Sequence, residues 1–193
     1  MRRLLESPQK MIAVHTIPAA FSLADCDRIL GQTAAAPVED AKLVGRNKDH
    51  NIRRADLVWL DRVPDTGWVM DQIIDMVRVA NRDTFGFDLT DFCESVQVAH
   101  YDGAREGHFD WHSDIGDGRL AGKRKLTLVA QLSAPDSYIG GALEVMPSSH
   151  AVTAQKARGT VTIFPSYLLH RVTPVTKGSR ASLTVWAHGP AFR

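Results

Sequence analysis

Residues 159–188 read GTVTIFPSYLLHRVTPVTKGSRASLTVWAH, and the reading of this stretch decides the fold. Short runs rich in Val, Thr, Ile, Leu and aromatics (GTVTIF, HRVTPV, ASLTVWAH) are punctuated by Pro165, Pro174 and Gly178. Apolar β-branched runs bounded by Pro and Gly are strands, since branched side chains suit a pleated surface and Pro cannot continue a ladder. The same texture extends upstream to residue 94, through SVQVAHY, the stretch ending at His112, KLTLVAQL and GALEVM. A turn at Pro174 and Lys177-Gly178 is expected to reverse the chain into the last strand.

Before residue 94 the texture differs. Ser22 is placed as the N-cap of a helix over LADCDRILGQTAA, with Leu23, Cys26 and Leu30 at helical spacing. Thr66 to Arg82 carry Val69, Ile73, Ile74, Met76, Val77, Val79 and Ala80, an amphipathic helical pattern. MIAVHTI (11–17) and DLVWL (56–60) read as strands, and Pro37 to Asn51 as a loop. Helices followed by closely spaced strands predict a mainly β protein with flanking helices, its core two antiparallel sheets. No linker-like segment divides residues 1–193, so one domain is expected, with helical support mainly over 1–93 and the β core mainly over 94–193.

The chain carries 23 basic and 22 acidic side chains, a formal net charge of +1. That balance supplies no global attraction to nucleic acid or anionic membrane, so no nucleic-acid partner is expected. No transmembrane run and no secretory pattern appear in MRRLLESPQKMIAVH. Cys26 and Cys93 both lie in apolar surroundings and read as buried free thiols.

Three side chains carry chemistry. His112 and Asp114 form a His-x-Asp pair, which on a strand sends an imidazole and a carboxylate to one face. His170, at the end of the apolar run TIFPSYLLH, offers a second imidazole from another strand. Two imidazoles and one carboxylate are the ligand inventory of the facial triad, which holds non-haem Fe(II) and leaves positions open. His108 and Asp110 form a second His-x-Asp just upstream, and spacing alone does not choose between the pairs. Beyond His170, Arg180, Ser182, Thr184 and Trp186 share one strand face. Arg180 and Ser182 there suit the far carboxylate of a dicarboxylate, because the guanidinium fork matches a carboxylate. Lys177, in the expected turn, is the weaker anchor.

With these residues in place, the chain resembles the prolyl 4-hydroxylase-like branch of the Fe(II)/2-oxoglutarate dioxygenases. The matching residues are Tyr101, Gly103, Phe109, His112 and Asp114, then KRKLTLVAQLS and Gly140-Gly141-ALEV. His170, Pro174-Val175, Gly178-Ser179-Arg180 and Trp186 complete the pattern. Phe109, three before His112, stands where the family has its aromatic, which favours His112-Asp114 over His108-Asp110. FSLADCDRIL and IRRADLVWL look like the family's entry helix and early strand. The resemblance implies a double-stranded β-helix (jelly-roll) core buttressed by N-terminal helices. It implies His112, Asp114 and His170 as catalytic metal ligands, and Arg180 and Tyr101 as co-substrate contacts. Ala130-Gln131 stands where the family often has a second Tyr, which makes Gln131 a further contact. The interval from Tyr101 to His112 is longer than usual.

The implied cofactors are Fe(II), 2-oxoglutarate and O2, with ascorbate as a reductant. The implied reaction is hydroxylation of an unactivated C–H of a peptidyl residue, prolyl-type, releasing succinate and CO2. The alternatives are hydroxylation of a free amino acid or secondary metabolite, and a non-catalytic metal- or ligand-binding β-barrel. Oxidative demethylation of nucleic acid is disfavoured by the neutral charge. The expected partner is a small-molecule or peptide substrate, the expected compartment the cytoplasm, and the oligomeric state is open. Trp111 reads as core packing and Trp186 as filling the barrel or lining the pocket. Arg53-Arg54 reads as a solvated basic pair, with contact to an acidic group on a substrate as the alternative. His150 reads as surface, and His188 carries no signal. His108 and Asp110 are substrate contacts or solvated rim.

Overall fold

The computed structural model describes residues 14–40 and 52–192. Residues 11–13 of the expected first strand and 41–51 of the expected loop lie outside them. In chain order come β1 (His15–Ile17), α1 (Leu23–Thr33), β2 (Glu39–Asp40), β3 (Arg53–Arg54), β4 (Asp56–Trp59) and α2 (Gly67–Ala80). Then follow β5 (Gln97–Asp102), β6 (His108–His112), β7 (Arg124–Gln131), β8 (Tyr138–Gly140) and β9 (Leu143–Met146). The chain ends in β10 (Val152–Thr153), β11 (Val161–Pro165), β12 (Leu169–Val172) and β13 (Val175–His188).

The described strands form two antiparallel sheets, a double-stranded β-helix. The larger runs β1-β11-β7-β13-β5-β4-β2, with β8 paired to β13, and the smaller runs β10-β9-β12-β6-β3. Parity along the strands decides what faces what. Leu126, Leu128 and Ala130 of β7, Val98 of β5, and Ala181, Leu183, Val185 and Ala187 of β13 join Cys26, Ile29, Val69, Ile73 and Val77 of the two helices in one apolar cluster. The helices thus cover the outer face of the larger sheet. The alternate residues, Thr127 and Gln131 of β7, Gln97 and Tyr101 of β5, and Arg180 and Ser182 of β13, are buried on the opposite face, toward the smaller sheet.

Helix α1 starts where a capping box is formed. The Ser22 hydroxyl accepts from Asp25 N at 3.0 Å, and Asp25 Oδ2 accepts from Ser22 N at 2.9 Å. Helix α2 does not stop at its last regular turn but continues as a π turn over Asn81–Phe85.

Several expectations need correcting. The run TIFPSYLLH joins the end of one expected strand, GTVTIF, to the start of another, HRVTPV, but the two lie in different sheets. β11 ends at Pro165 in the larger sheet, and the chain crosses to β12 in the smaller sheet. The reversal before the last strand is complete at Pro174, so Lys177-Gly178 lies inside the 14-residue β13. Gly178 adopts φ 70°, and a Cβ there would stand 2.1 Å from Ser137 O, so only glycine lets β13 pass β8 at that point. Part of the expected loop, Glu39–Asp40, is a strand paired with β4. Cys26 is buried, but Cys93 is exposed, its thiol donating to Asp91 Oδ1 at 2.9 Å; both are free.

Candidate metal centre and co-substrate pocket

His112 and His170 are direct cross-strand partners on β6 and β12. That register sets their rings 4.1 Å apart, centroid to centroid. Asp114 does not continue β6. The strand ends at His112, and the chain bends so that Asp114 N donates to Ser166 O at 3.0 Å. The bend, rather than the period of a strand, brings the carboxylate round. Asp114 Oδ1 lies 3.8 Å from His112 Nε2, and Oδ2 lies 3.4 Å from His170 Nε2. The three ligand atoms fall within 4.8 Å of one another.

The backbone fixes which imidazole nitrogen is free. His112 Nδ1 lies 2.7 Å from Asp110 O, and His170 Nδ1 lies 3.0 Å from Leu168 O. A carbonyl only accepts, so each Nδ1 carries a proton and each Nε2 is the nitrogen turned toward Asp114, the one that offers a lone pair in the neutral ring. Burial, reinforced by His170, pushes the His112 imidazole down to about 3 despite the nearby Asp114 carboxylate. For Asp114, burial pulls upward, yet His170 and His112 outweigh it and hold the carboxyl below its usual range. Thr127 Oγ1 donates to Asp114 Oδ2 at 2.7 Å; the Trp186 indole N–H is beside it without a formed hydrogen bond. Two Nε2 atoms and a carboxylate converging on one point make a donor set that a cation between them would complete. The donor set, nitrogen and oxygen without thiolate, fits Fe(II).

The co-substrate candidates also meet. Arg180 is fully buried and stands opposite Tyr101 in register. Its Nε and Nη2 donate to Gln131 Oε1 at 3.2 and 3.0 Å, and its Nη1 donates to Ser182 Oγ at 3.2 Å. The guanidinium carbon lies 5.3 Å from the centre of the Tyr101 ring. Among the described residues no carboxylate pairs with Arg180, so a buried cation is held by neutral acceptors only. Such a charge is costly without an anion, and the carboxylate of 2-oxoglutarate fits it. Gly141 makes room: a Cβ there would press on Arg180 Cδ at 2.9 Å.

A cavity of about 290 Å³ opens beside the triad, with His112, Asp114, His170, Tyr101, Ser182 and Trp186 in its wall. Arg180 and Gln131 sit just behind Tyr101 and Ser182. His108 and Asp110 are not part of the triad cluster. His108 Nδ1 donates to Glu106 O at 2.7 Å, and Asp110 is exposed, its carboxylate accepting from Trp111 N. Lys177 is exposed.

Sequence reasoning missed a second polar cluster. Glu94 accepts from Arg124 Nε at 2.6 Å and from His188 Nε2 at 2.9 Å. Arg124 also lies 3.8 Å over the Trp186 ring and donates to Asp114 O at 3.0 Å. His188, fully buried and accepting from Cys93 N at 3.3 Å, is therefore part of the support behind the site. No motif signals it, because Glu94 and His188 are far apart in sequence. Phe109 stacks on His112 with ring centroids 3.4 Å apart, which gives the aromatic three residues upstream a physical role.

Residues 96–188 match the 2OG-Fe(II) oxygenase superfamily. Over that span the chain is similar to members of this superfamily. It is similar to a PKHD-type hydroxylase of Teredinibacter turnerae, 34% identical over 84 residues that cover 44% of this chain and 37% of that protein. A PKHD-type hydroxylase of Hyphomonas neptunium is 42% identical over 71 residues, 37% of this chain and 31% of that protein. The chain thus aligns with about a third of the length of these relatives. Among solved structures, a prolyl-4-hydroxylase of Pseudomonas putida superposes with a TM-score of 0.70 at 20% identity, over 93% of this chain and 94% of that one. A viral collagen prolyl hydroxylase of Paramecium Bursaria Chlorella virus-1 gives 0.65 at 21% identity, over 92% and 96%. These likenesses carry the double-stranded β-helix fold. No helix among the described residues is long and apolar enough to cross a membrane.

Proposed function

We propose that the chain is a single oxygenase domain whose His112, Asp114 and His170 hold Fe(II) while Arg180 anchors 2-oxoglutarate. The observation that carries this is the pair of Nε2 atoms turned toward the Asp114 carboxylate, each imidazole locked by its own Nδ1–H on a backbone carbonyl. When bound, iron and 2-oxoglutarate with O2 supply oxidative power for hydroxylating an unactivated C–H bond, with release of succinate and CO2. The chain's residues supply position. Thr127 orients the Asp114 carboxylate, Phe109 backs the His112 ring, and Arg180 with Ser182, Tyr101 and Gln131 receives the distal carboxylate. The largely apolar walls, including Leu143, Val129 and Val172, limit water around the reacting carbon. Two free thiols fit a reducing compartment, which supports the cytoplasm.

The prolyl hydroxylase names of the similar solved structures, one of them in complex with a peptide fragment, support a peptidyl substrate. A second reading, a free amino acid or small metabolite, is favoured by the cavity, which at about 290 Å³ is at the lower end of small-molecule sites. Succinate formation from 2-oxoglutarate with Fe(II) and ascorbate tests the enzyme reading against a non-catalytic barrel. Turnover is expected in the wild type and loss of at least about 1,000-fold in His170→Ala, the scale of losing a group that acts as part of a unit. Arg180→Gln is expected to act mainly through KM for 2-oxoglutarate. Unchanged turnover in His170→Ala would remove the triad.

A further inference from the structure

The expectation of a solvated basic pair at Arg53-Arg54 fails for Arg53. Only 9% of its surface is exposed, and it lines the same cavity as the triad. It lies on β3, paired in register with Phe109 of β6, in the smaller sheet. Its side chain reaches across to the larger sheet, where Nη2 donates to Gln97 Oε1 of β5 at 3.1 Å. Its guanidinium carbon stands 4.5 Å from the centre of the Phe109 ring, which in turn stacks on His112. Nε is buried with no hydrogen-bond partner. The neighbouring Arg54 differs: it donates to Arg105 O at 2.6 Å.

A guanidinium buried against one amide oxygen and one ring face keeps its charge, because arginine does not deprotonate in proteins. No carboxylate among the described residues pairs with it. It therefore attracts an anion into the cavity, one aromatic ring away from a metal ligand. Arg180 already answers the distal carboxylate of 2-oxoglutarate from a different wall, behind Tyr101. We infer that Arg53 is a specificity-determining residue that binds a carboxylate of the primary substrate. The substrate class is accordingly a small carboxylate-bearing molecule, a free or N-acylated amino acid or the C-terminal residue of a peptide. This deepens the oxygenase reading and rests on it. An uncharged internal residue of a peptide would leave the buried guanidinium facing neutral backbone groups alone.

The test uses the full chain loaded with Mn(II), which does not turn over, and 2-oxoglutarate, with binding followed by calorimetry. The probes are matched acid–amide pairs: L-proline and L-prolinamide, L-leucine and L-leucinamide, and an N-acetyl tripeptide ending in proline as free acid and as amide. At least one acid is expected to bind about tenfold or more tighter than its amide, the scale of a charge-assisted hydrogen bond. Arg53→Gln is expected to bring that ratio to about 1, and Arg53→Lys, which keeps the charge but not the fork, to leave part of it. The free amino acids and the tripeptide separate the two sources of the carboxylate. If no acid in the set outbinds its amide, or if Arg53→Gln keeps the full ratio, the inference is overturned. An Arg53→Gln variant that loses affinity for 2-oxoglutarate while keeping the ratio assigns Arg53 to the co-substrate and equally overturns it. Wild-type conversion of 2-oxoglutarate to succinate with Fe(II), in the absence of any probe, reads the oxygenase assignment separately.

Discussion

Asp114 shows how much of the site is set by single atoms. Its carboxylate is buried, faces two imidazoles, and is steadied by the Thr127 hydroxyl at 2.7 Å. Thr127→Val keeps the shape and removes that bond, so metal affinity is expected to fall about 10- to 100-fold, the usual scale for an outer partner of a ligand. A Mn(II) titration followed by calorimetry measures it, and unchanged affinity would mean that Thr127 merely fills space. His112 predicts the pH behaviour of the metal-free protein. Its pKa is pushed from 6.5 to about 3 on folding, so between those values the unfolded chain holds more protons. Stability therefore rises with pH across that window and is lost as pH falls through it. Urea titrations of the metal-free chain at pH 4, 5, 6 and 7 are expected to show the rise, and His112→Gln to flatten it. The triad and Arg180 are legible in the sequence, because each sits in a motif with a fixed interval. Arg53, Glu94 and His188 are not, because their partners come from strands that sequence proximity does not connect.

At the scale of elements, β13 organises the molecule through alternation alone. Ala181, Leu183, Val185 and Ala187 pack under the helices, while Arg180, Ser182, Thr184 and Trp186 face the site. A slip of one residue would exchange the two sets, so the apolar core and the proposed co-substrate anchor depend on one register. That register is held on both sides, by β5 and β7. Helix α2 stabilises the outer face. Ile73, fully buried there, is expected to cost about 2–5 kcal/mol when replaced by Ala, read by chemical denaturation, with little change in metal affinity. A comparable loss of metal binding would show that the helix layer and the site are not separable. The helices and most strands were legible from periodicity and caps. The missed features were long-range. Proline inside TIFPSYLLH marks a crossing between sheets, and the glycine at 178 marks a close passage of β8 rather than a turn.

At the scale of the whole molecule, the smaller sheet sets His112 of β6 beside His170 of β12, more than fifty residues apart, the larger sheet faces them with Ser182 and Trp186, and the cavity between the sheets holds buried charged groups. Metal and co-substrate should therefore be linked to stability. At a free metal concentration one hundred times the dissociation constant, the folded state gains about 2.7 kcal/mol. Saturating Mn(II) is thus expected to raise the melting temperature of the wild type and leave that of a His112→Ala, His170→Ala double variant where it was. Neutral overall charge, legible from composition, said nothing of this, because the charges that matter are few and buried. The most direct test of the central claim is an anaerobic calorimetric titration of the metal-free chain with Fe(II). One ion is expected to bind per chain in the wild type, with affinity reduced more than about 100-fold in Asp114→Ala and in His170→Ala, beyond what the loss of an outer partner causes. Equal affinity in the wild type and both variants would contradict the account.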